Sequence, residues 1–357
     1  MTVSSPSPVT WPDAARRLAF ERWLAGFAAQ RGLDAASLEP ASADASFRRY
    51  LRLRGGSAGS VIVMDAPPAL EDVRPFVRVA ALLQQAGVRV PAVLEADVEQ
   101  GFLLLEDMGR TVYLDALRSA APDEADRLIR AALSSLVRLQ RHVPAQGLPP
   151  FDADTLAREL APFPEWCVRR EFGIEWSDAQ HASWQRVVRL LIDDALSQPQ
   201  VAVHADWMPR NLMVVEGGPG VLDFQDAVRG PITYDLASLL RDAFVSWPEE
   251  QEIDWAVRYW QQARKDGVLT AEVSEPLHAD FGEFWRALEW MGLLRHLRVM
   301  GIFCRLKHRD GKPVYAQDLP RFFAYAHKVA MRYAPLAPLR PLLEPMSGQH
   351  THAAFTF

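Results

Sequence analysis

The apolar residues of this chain shift in character near residue 110, from short strand-rich spacing to long helical spacing, and that shift limits the folds open to it. Between 46 and 64 they recur at every second position. Phe47, Arg49, Leu51 and Leu53 would share one strand face, with Arg48, Tyr50, Arg52 and Arg54 on the other. Gly55-Gly56-Ser57 supplies a turn, and 60–64 reads as the returning strand. Ahead of this hairpin, Leu18, Phe20, Trp23, Leu24 and Phe27 have helical spacing that stops near Gly32. Behind it, Phe76, Val79, Ala80, Leu82 and Leu83 predict a helix ending at Gly87, followed by short strands around 92–94 and 102–105. From Met108-Gly109 onward the spacing is helical, over 113–118, 123–141, 178–196, 249–266 and 279–306. The pattern predicts an α+β protein with a small antiparallel-sheet N-lobe and a larger helical C-lobe.

The 357 residues are enough for two lobes with a sizeable core. The expected division is a tail over 1–12, an N-terminal lobe over 13–107, a C-terminal lobe over 108–342 and a frayed tail over 343–357. A formal charge of −6 argues against a general nucleic-acid binder. No apolar run approaches the roughly 18–20 residues that span a bilayer, so no membrane partner is expected. The opening MTVSSPSPVTWPDAARR does not read as a signal peptide, and the chain reads as a cytoplasmic protein, expected to be a monomer. Cys167 and Cys304 are too few for a disulfide framework or a four-cysteine zinc site. Of 39 basic residues only Lys265, Lys307, Lys312 and Lys328 are lysines, so any cation needed before residue 265 must be arginine or histidine.

The stretch that carries chemistry runs from His204 through Asp206 and Asn211 to Asp223-Phe224. Pro209 biases Met208 away from helical angles, which makes 204–211 a loop. The apolar runs 212–215 and 221–224 flank Gly217-Gly218-Pro219-Gly220 and read as a hairpin. A loop feeding a hairpin would bring Asp206, Asn211 and Asp223 to one end of the sheet. Two carboxylates and an amide oxygen are hard ligands of the kind Mg²⁺ accepts beside phosphate oxygens.

H-x-D-x-x-x-x-N followed twelve residues later by Asp-Phe resembles the catalytic and metal loops of the protein-kinase-like small-molecule phosphotransferases, the aminoglycoside and choline kinase relatives. Gly230-Pro231-Ile232-Thr233-Tyr234-Asp235-Leu236-Ala237 matches the next landmark of that family, and the likeness covers roughly 40–330. It implies a bilobal protein-kinase-like fold using ATP and Mg²⁺. Asp206 would orient the acceptor hydroxyl and receive its proton. Asn211 and Asp223 would hold the metal, Asp235 would brace the catalytic loop and cap the next helix, and His204 would have a structural part. The hinge would lie about 105–109, with Glu106 and Met108 beside the adenine.

The family's glycine-rich loop and third-strand lysine are both missing. The phosphate loop would be 41–46, contributing Ser42 and Ser46, and Met64 or a neighbour stands where lysine is expected. Arg49, on the inward face of its strand, is the expected replacement cation, unless a one-residue slip in register turns it outward. Asp65 reads as a turn former or a functional acid, and Trp207 as a sugar platform or a packing residue.

The runs around Asp44–Tyr50, Asp65-Ala66-Pro67-Pro68, Asp223–Asp226, 301–306 and 309–312 resemble one branch of the family in particular. That branch comprises the anomeric kinases for N-acetylmuramate and N-acetylglucosamine in bacterial cell-wall recycling. The resemblance implies ATP-dependent phosphorylation of the sugar's C1 hydroxyl. Sugar-contact candidates are Asp226, Arg229, Tyr234, Arg295, Arg305 and His308; the remainder of the cluster Arg295-His296-x-Arg298 is expected to be a solvated helix face. An arginine could hold the lactyl carboxylate of N-acetylmuramate in bidentate fashion. The alternatives are a kinase of the same fold acting on another small alcohol or amine, such as choline, homoserine or an aminoglycoside, and a metal hydrolase on His204, Asp206 and Asp223. The hydrolase leaves Asn211 unexplained and has no second histidine at metal spacing.

Overall fold

The computed structural model describes residues 9–42, 47–57 and 59–347, with Ser42 as backbone alone. The chain forms two compact units. The first comprises Met1–Tyr113 together with Asn211–Asp226, and the second Leu114–Arg210 together with Ala227–Phe357.

In the first unit, β1 (Leu33–Ser42), β2 (Arg49–Gly55), β3 (Ser60–Asp65), β4 (Val93–Asp97) and β5 (Phe102–Glu106) form an antiparallel sheet of order β1-β2-β3-β5-β4. Helix α1 (Ala14–Ala25) starts at Asp13, whose carboxylate accepts from the Arg16 N–H, and lays Phe20 and Leu24 on one face of the sheet. Those side chains share a core with Leu51, Leu53, Val61, Val63, Phe102 and Leu104. The expected β2 face is therefore the buried one from Leu51 onward, whereas Phe47 precedes the strand and is exposed. Strand β1 has no apolar alternation and was not anticipated. It follows β2 through two register irregularities, with backbone pairing in place of side-chain pattern. Helix α2 (Arg74–Gln85) connects β3 to β4 and buries Phe76, Val79, Ala80 and Leu83.

The second hairpin, β7 (Leu212–Val215) with β8 (Gly218–Val221), also belongs to this unit. Its second strand begins three residues earlier than its apolar run suggests, so Gly218 and Gly220 lie inside the strand and Gly217 in the turn. Val214 donates to the Thr111 carbonyl at 2.9 Å and Val221 to that of Arg89 at 2.7 Å. The Phe224 ring lies 4.6 Å from that of Phe76, tilted by 37°.

The second unit is helical apart from the pair β6 (Gln200–Val203) and β9 (Val228–Pro231), neither of which was anticipated. Its helices are α3 (Tyr113–Ser119), α4 (Pro122–His142), α5 (Ala153–Leu160), α6 (Asp178–Ser197), α7 (Tyr234–Leu240), α8 (Glu249–Lys265), α9 (Ala271–Ala279), α10 (Phe281–Asp310), α11 (Leu319–Arg332) and α12 (Arg340–Ser347). A π-helical turn, Phe163–Glu171, follows α5. Helix α10 is the spine, with buried residues along most of its 30 positions. A methyl group on its Gly301 would lie 2.6 Å from the Phe163 nitrogen, so glycine is what lets helix and turn meet. Helix α12 buries Leu343 and Met346 where a frayed tail was expected, because apolar residues at helical spacing find a core to enter. No helix among the described residues is long and apolar enough to cross a membrane.

Candidate active site

The loop after β6 belongs to the second unit. His204 is buried, and its Nδ1 accepts from the Asp206 N–H at 3.2 Å, which assigns the ring proton to Nε2. The chain then turns through Ala205 at φ 77°, a left-handed angle that costs energy for a residue with a Cβ. Asp235 holds this turn. Its buried carboxylate accepts from the His204 N–H at 2.6 Å and the Ala205 N–H at 3.1 Å. Burial pushes its pKa up to about 7, against the two amide hydrogen bonds and the charge of Arg295, with Asp206 adding to the rise. Asp235 lies one residue inside α7, so the expected helix cap is not formed; its oxygens are turned to the loop.

Arg295, expected at the sugar, is almost wholly buried. It donates to the Ala205 carbonyl at 3.4 Å and lies 4.7 Å above the Tyr234 ring. His296 is buried between Phe322 and Tyr325, and Arg298 is mostly enclosed. The face expected to be solvated is therefore an interior one: His296 Nε2 meets the Arg241 carbonyl and Arg298 the Glu159 carboxylate, while His296 Nδ1 has no hydrogen-bond partner among the described residues. Arg298 places Nη1 3.9 Å from Asp206 Oδ1 and 3.5 Å from the Tyr234 hydroxyl, while its Nε pairs with Glu159 of α5. Asp206 itself is more than one-third exposed, open enough for a substrate hydroxyl to reach it. Trp207 is fully buried against His204, which makes it a packing residue and not a sugar platform.

Of the other expected contacts in this unit, Arg229 is half-buried on β9. Arg305 is half-buried on α10. His308 shares Glu171 with Lys307, each at 2.7 Å. Burial raises the Glu171 carboxylate, but these two partners more than reverse that. Cys167 and Cys304 are buried, and burial drives the Cys167 thiol upward, away from the reactive thiolate.

In the first unit, the hairpin brings Asn211 and Asp223 together through the Leu222 N–H, which donates to the Asn211 carbonyl at 2.9 Å. Asp223 is the second left-handed non-glycine residue, at φ 60°. Its Oδ1 accepts from Gln225 Nε2 at 3.0 Å, and the Arg48 guanidinium stands 3.6 Å from the same oxygen. Among the described residues no three acids, histidines or cysteines form a metal cluster. One carboxylate and one amide oxygen are instead a partial, hard-oxygen set that phosphate oxygens and water would complete, and a guanidinium already supplies positive charge beside it. The pair fits Mg²⁺. Asp226 is exposed and accepts from Gln225 Nε2 at 2.9 Å.

Arg49 lies on the opposite side of β2 from Arg48. It faces Asp65, its direct cross-strand partner, and pairs with that fully buried carboxylate. Arg16 of α1 bonds the other oxygen at 2.6 and 2.9 Å. Asp65 is thus neither a turn former nor a reacting acid but a structural anion between two arginines. The inward face of β2 is the face that α1 covers, and the arginine that reaches the metal loop is the neighbour that the alternation put outside. The signal was present as the Arg48-Arg49 pair, but only the placement of α1 tells its two faces apart.

At the expected hinge, the Glu106 N–H donates to the Ala92 carbonyl at 2.9 Å. Arg89 grips the Glu106 side chain and, as the leading cause, lowers its pKa. Asp107 is held by Arg52 at 2.6 and 3.0 Å, by Ser60 and by the Gly109 N–H. Burial raises Asp107, and these donors more than offset it. Met108 is buried, and its sulfur would lie 2.5 Å from a methyl group placed on Gly220 of β8. Ser46 lies outside the described residues, and the Ser42 side chain is likewise not described.

The fold is that of the protein-kinase-like phosphotransferases. It resembles the solved choline kinase of Cryptosporidium parvum with a TM-score of 0.58 at 9% identity, covering 91% of this chain and 99% of that one. An ADP-bound aminoglycoside phosphotransferase gives 0.57 at 12% identity, over 89% and 99%. A sequence profile of the phosphotransferase enzyme family matches residues 37–292, and the chain belongs to that family. The N-acetylmuramate/N-acetylglucosamine kinase of Pseudomonas putida is 51% identical over 309 residues, 87% of this chain and 88% of the relative. The protein of the same name in Neisseria meningitidis is 44% identical over 344 residues, 96% and 99% of the two chains.

Proposed function

We propose that this chain transfers the γ-phosphoryl group of ATP to the C1 hydroxyl of N-acetylmuramate and N-acetylglucosamine, giving the α-1-phosphate in the cytoplasm, as a monomer serving cell-wall recycling. The observation that carries the substrate choice is the 44% identity to the Neisseria meningitidis kinase along 96% of the chain. In this proposal the lobe over 13–107 receives the nucleotide and that over 108–342 the sugar. Asp206 orients the anomeric hydroxyl and takes its proton as the oxygen attacks phosphorus. An anomeric hydroxyl is more acidic than an ordinary alcohol, so a carboxylate suffices as base and most of the acceleration comes from positioning. Asp235, Arg295 and His204 hold the loop that aims it.

Asn211 and Asp223 would hold Mg²⁺, which supplies neutralisation of the phosphate charge when bound. The cation at the phosphates is Arg48, which lies beside Asp223 in a lobe without lysine. Arg49 acts through Asp65, by keeping β2 and β3 in register. The backbone around Glu106 and Met108 meets the base of the nucleotide, and Ser42 and Ser46 line the phosphate loop.

The test is a phosphorus NMR spectrum of protein, Mg-ATP and N-acetylmuramate, with a parallel sample of the sugar reduced at C1. A sugar-1-phosphate resonance beside ADP, absent with the reduced sugar, is the expected result. ATP binding without a sugar phosphate from either amino sugar would overturn the substrate assignment and move the search to other small alcohols and amines.

A further inference from the structure

Most of the enclosed arginines in this protein have an acid or a carbonyl, and Arg264 has the Trp260 ring 4.3 Å away. Arg16 and Arg49 share Asp65, Arg52 has Asp107, Arg241 lies between Glu252 and Glu289, and Arg332 bridges Glu289 and Glu249. Arg305 is different. It is half-buried on α10, and among the described residues its side chain makes no ion pair and no hydrogen bond; its Nε is shut away from water without a partner. A guanidinium left in that state loses hydration at that nitrogen, and what it gains is the through-space attraction of Asp310.

Its position makes this cost informative. Arg298 and Arg305 are seven residues apart on one helix, two turns, so they share a face about 10 Å from end to end. Gly301 between them brings that face onto the backbone of 162–163. Arg298 marks the catalytic end, 3.9 Å from Asp206. After burial, the charge of Arg305 is the next influence on Arg298, pushing its pKa down to about 10. Arg298 already has Glu159 and Asp206 for its charge. Arg305 is therefore left as a cation two helical turns from the arginine beside Asp206, without a direct partner of its own among the described residues.

We propose that Arg305 is the carboxylate-binding residue of the acceptor site and takes the lactyl ether carboxylate of N-acetylmuramate. This rests on the sugar-kinase reading above. The hydroxyl reacting at Asp206 is the one on the sugar's C1, and the lactyl group stands on C3, two ring carbons away, with its carboxylate carried further out on the ether chain. A cation touching Asp206 is too close to serve that group; one two helical turns further along is suitably displaced. The planar guanidinium offers the carboxylate two parallel donors, which N-acetylglucosamine has no group to use. That sugar would still bind, through contacts common to both, and would leave Arg305 unpaired as it is in the free protein.

The experiment compares the two sugars as substrates of the wild type, Arg305→Gln and Arg305→Lys, at fixed saturating Mg-ATP. In Arg305→Gln the ratio of kcat/KM for N-acetylmuramate to that for N-acetylglucosamine should fall about 10- to 100-fold, the cost of one charge-assisted contact. Most of the fall should lie in KM, because the carboxylate is held equally before and during phosphoryl transfer. Arg305→Lys should recover part of the ratio, as a point charge without the fork. Turnover of N-acetylglucosamine reports that each variant is folded. A ratio within twofold of the wild type overturns the assignment, whether both sugars hold their rates or lose them together. A wild type that phosphorylates neither sugar overturns the functional reading, and this inference falls with it.

Discussion

Asp206, the proposed base, follows a strained turn. The residue before it is left-handed, the residue before that is buried, and the turn persists because Asp235 and Arg295 take up its amides and a carbonyl. Asp206→Asn keeps all of these contacts while removing the proton acceptor. Turnover should fall by about three orders of magnitude or more, with Mg-ATP affinity retained by calorimetry. Asp223→Ala should weaken Mg-ATP binding itself, since it removes the carboxylate of the proposed metal pair; equal loss of nucleotide affinity in both variants would contradict the proposed division of roles. His296 supplies a pH test. Burial, then the charge of Arg241, depresses its pKa to about 3, so the folded protein keeps it neutral while the unfolded chain protonates it below about 6.5. Between those values the unfolded state binds more protons, and stability rises with pH and is complete above about 6.5. Relative to His296→Gln, the wild type should lose about 2 kcal/mol between pH 7 and pH 5 in urea unfolding, and no relative change would mean the ring titrates normally.

At the scale of elements, the sheet is held by cross-strand pairs, among them the exposed ion pair Asp34–Arg54 and one on a buried anion, Arg49–Asp65. Arg49 and Asp65 face each other across β2 and β3 at the end where Arg16 of α1 also arrives, with its guanidinium 3.7 Å above Phe102. The anion ties helix to sheet. Asp65→Asn leaves two guanidinium groups sharing a neutral amide and should cost about 3 kcal/mol of unfolding free energy. A loss under 1 kcal/mol would show that α1 is held by its apolar face alone. The hairpin β2–β3 and helices α1, α2, α4, α6, α8 and α10 follow from apolar spacing, because each buries one regular face. Strand β1 and the pair β6–β9 do not, because they are held by backbone pairing and have no side-chain period to detect.

At the scale of the molecule, charge is distributed so that every lysine follows residue 264. Acylation of amines should therefore leave Mg-ATP affinity within about twofold, whereas an arginine-directed dicarbonyl should abolish binding unless Mg-ATP is present during the reaction. Loss of nucleotide binding on acylation would show that a lysine of the second unit reaches the phosphates. The chain also crosses between units. Residues Asn211–Asp226 follow the catalytic loop in sequence yet pack with the sheet, through Thr111, Arg89 and Phe76.

Order along the chain and local period were enough to determine the strand hairpin, the helical run, the loop with Asp206 and the hairpin with Asn211 and Asp223, since each depends on neighbours a few residues away. Tertiary structure alone decided which arginine meets which anion. Alternation separates Arg48 from Arg49, and a helical turn separates Arg295 from Arg298, but a strand or helix does not carry in its own sequence which face another element will cover. Helix α1 covers the Arg49 side and leaves Arg48 to Asp223; the packing of α10 buries Arg295 under the loop, sets Arg298 at the base and leaves Arg305 unpaired. The energy of a buried charge depends on partners far away in sequence, and those partners exist only once the chain has folded.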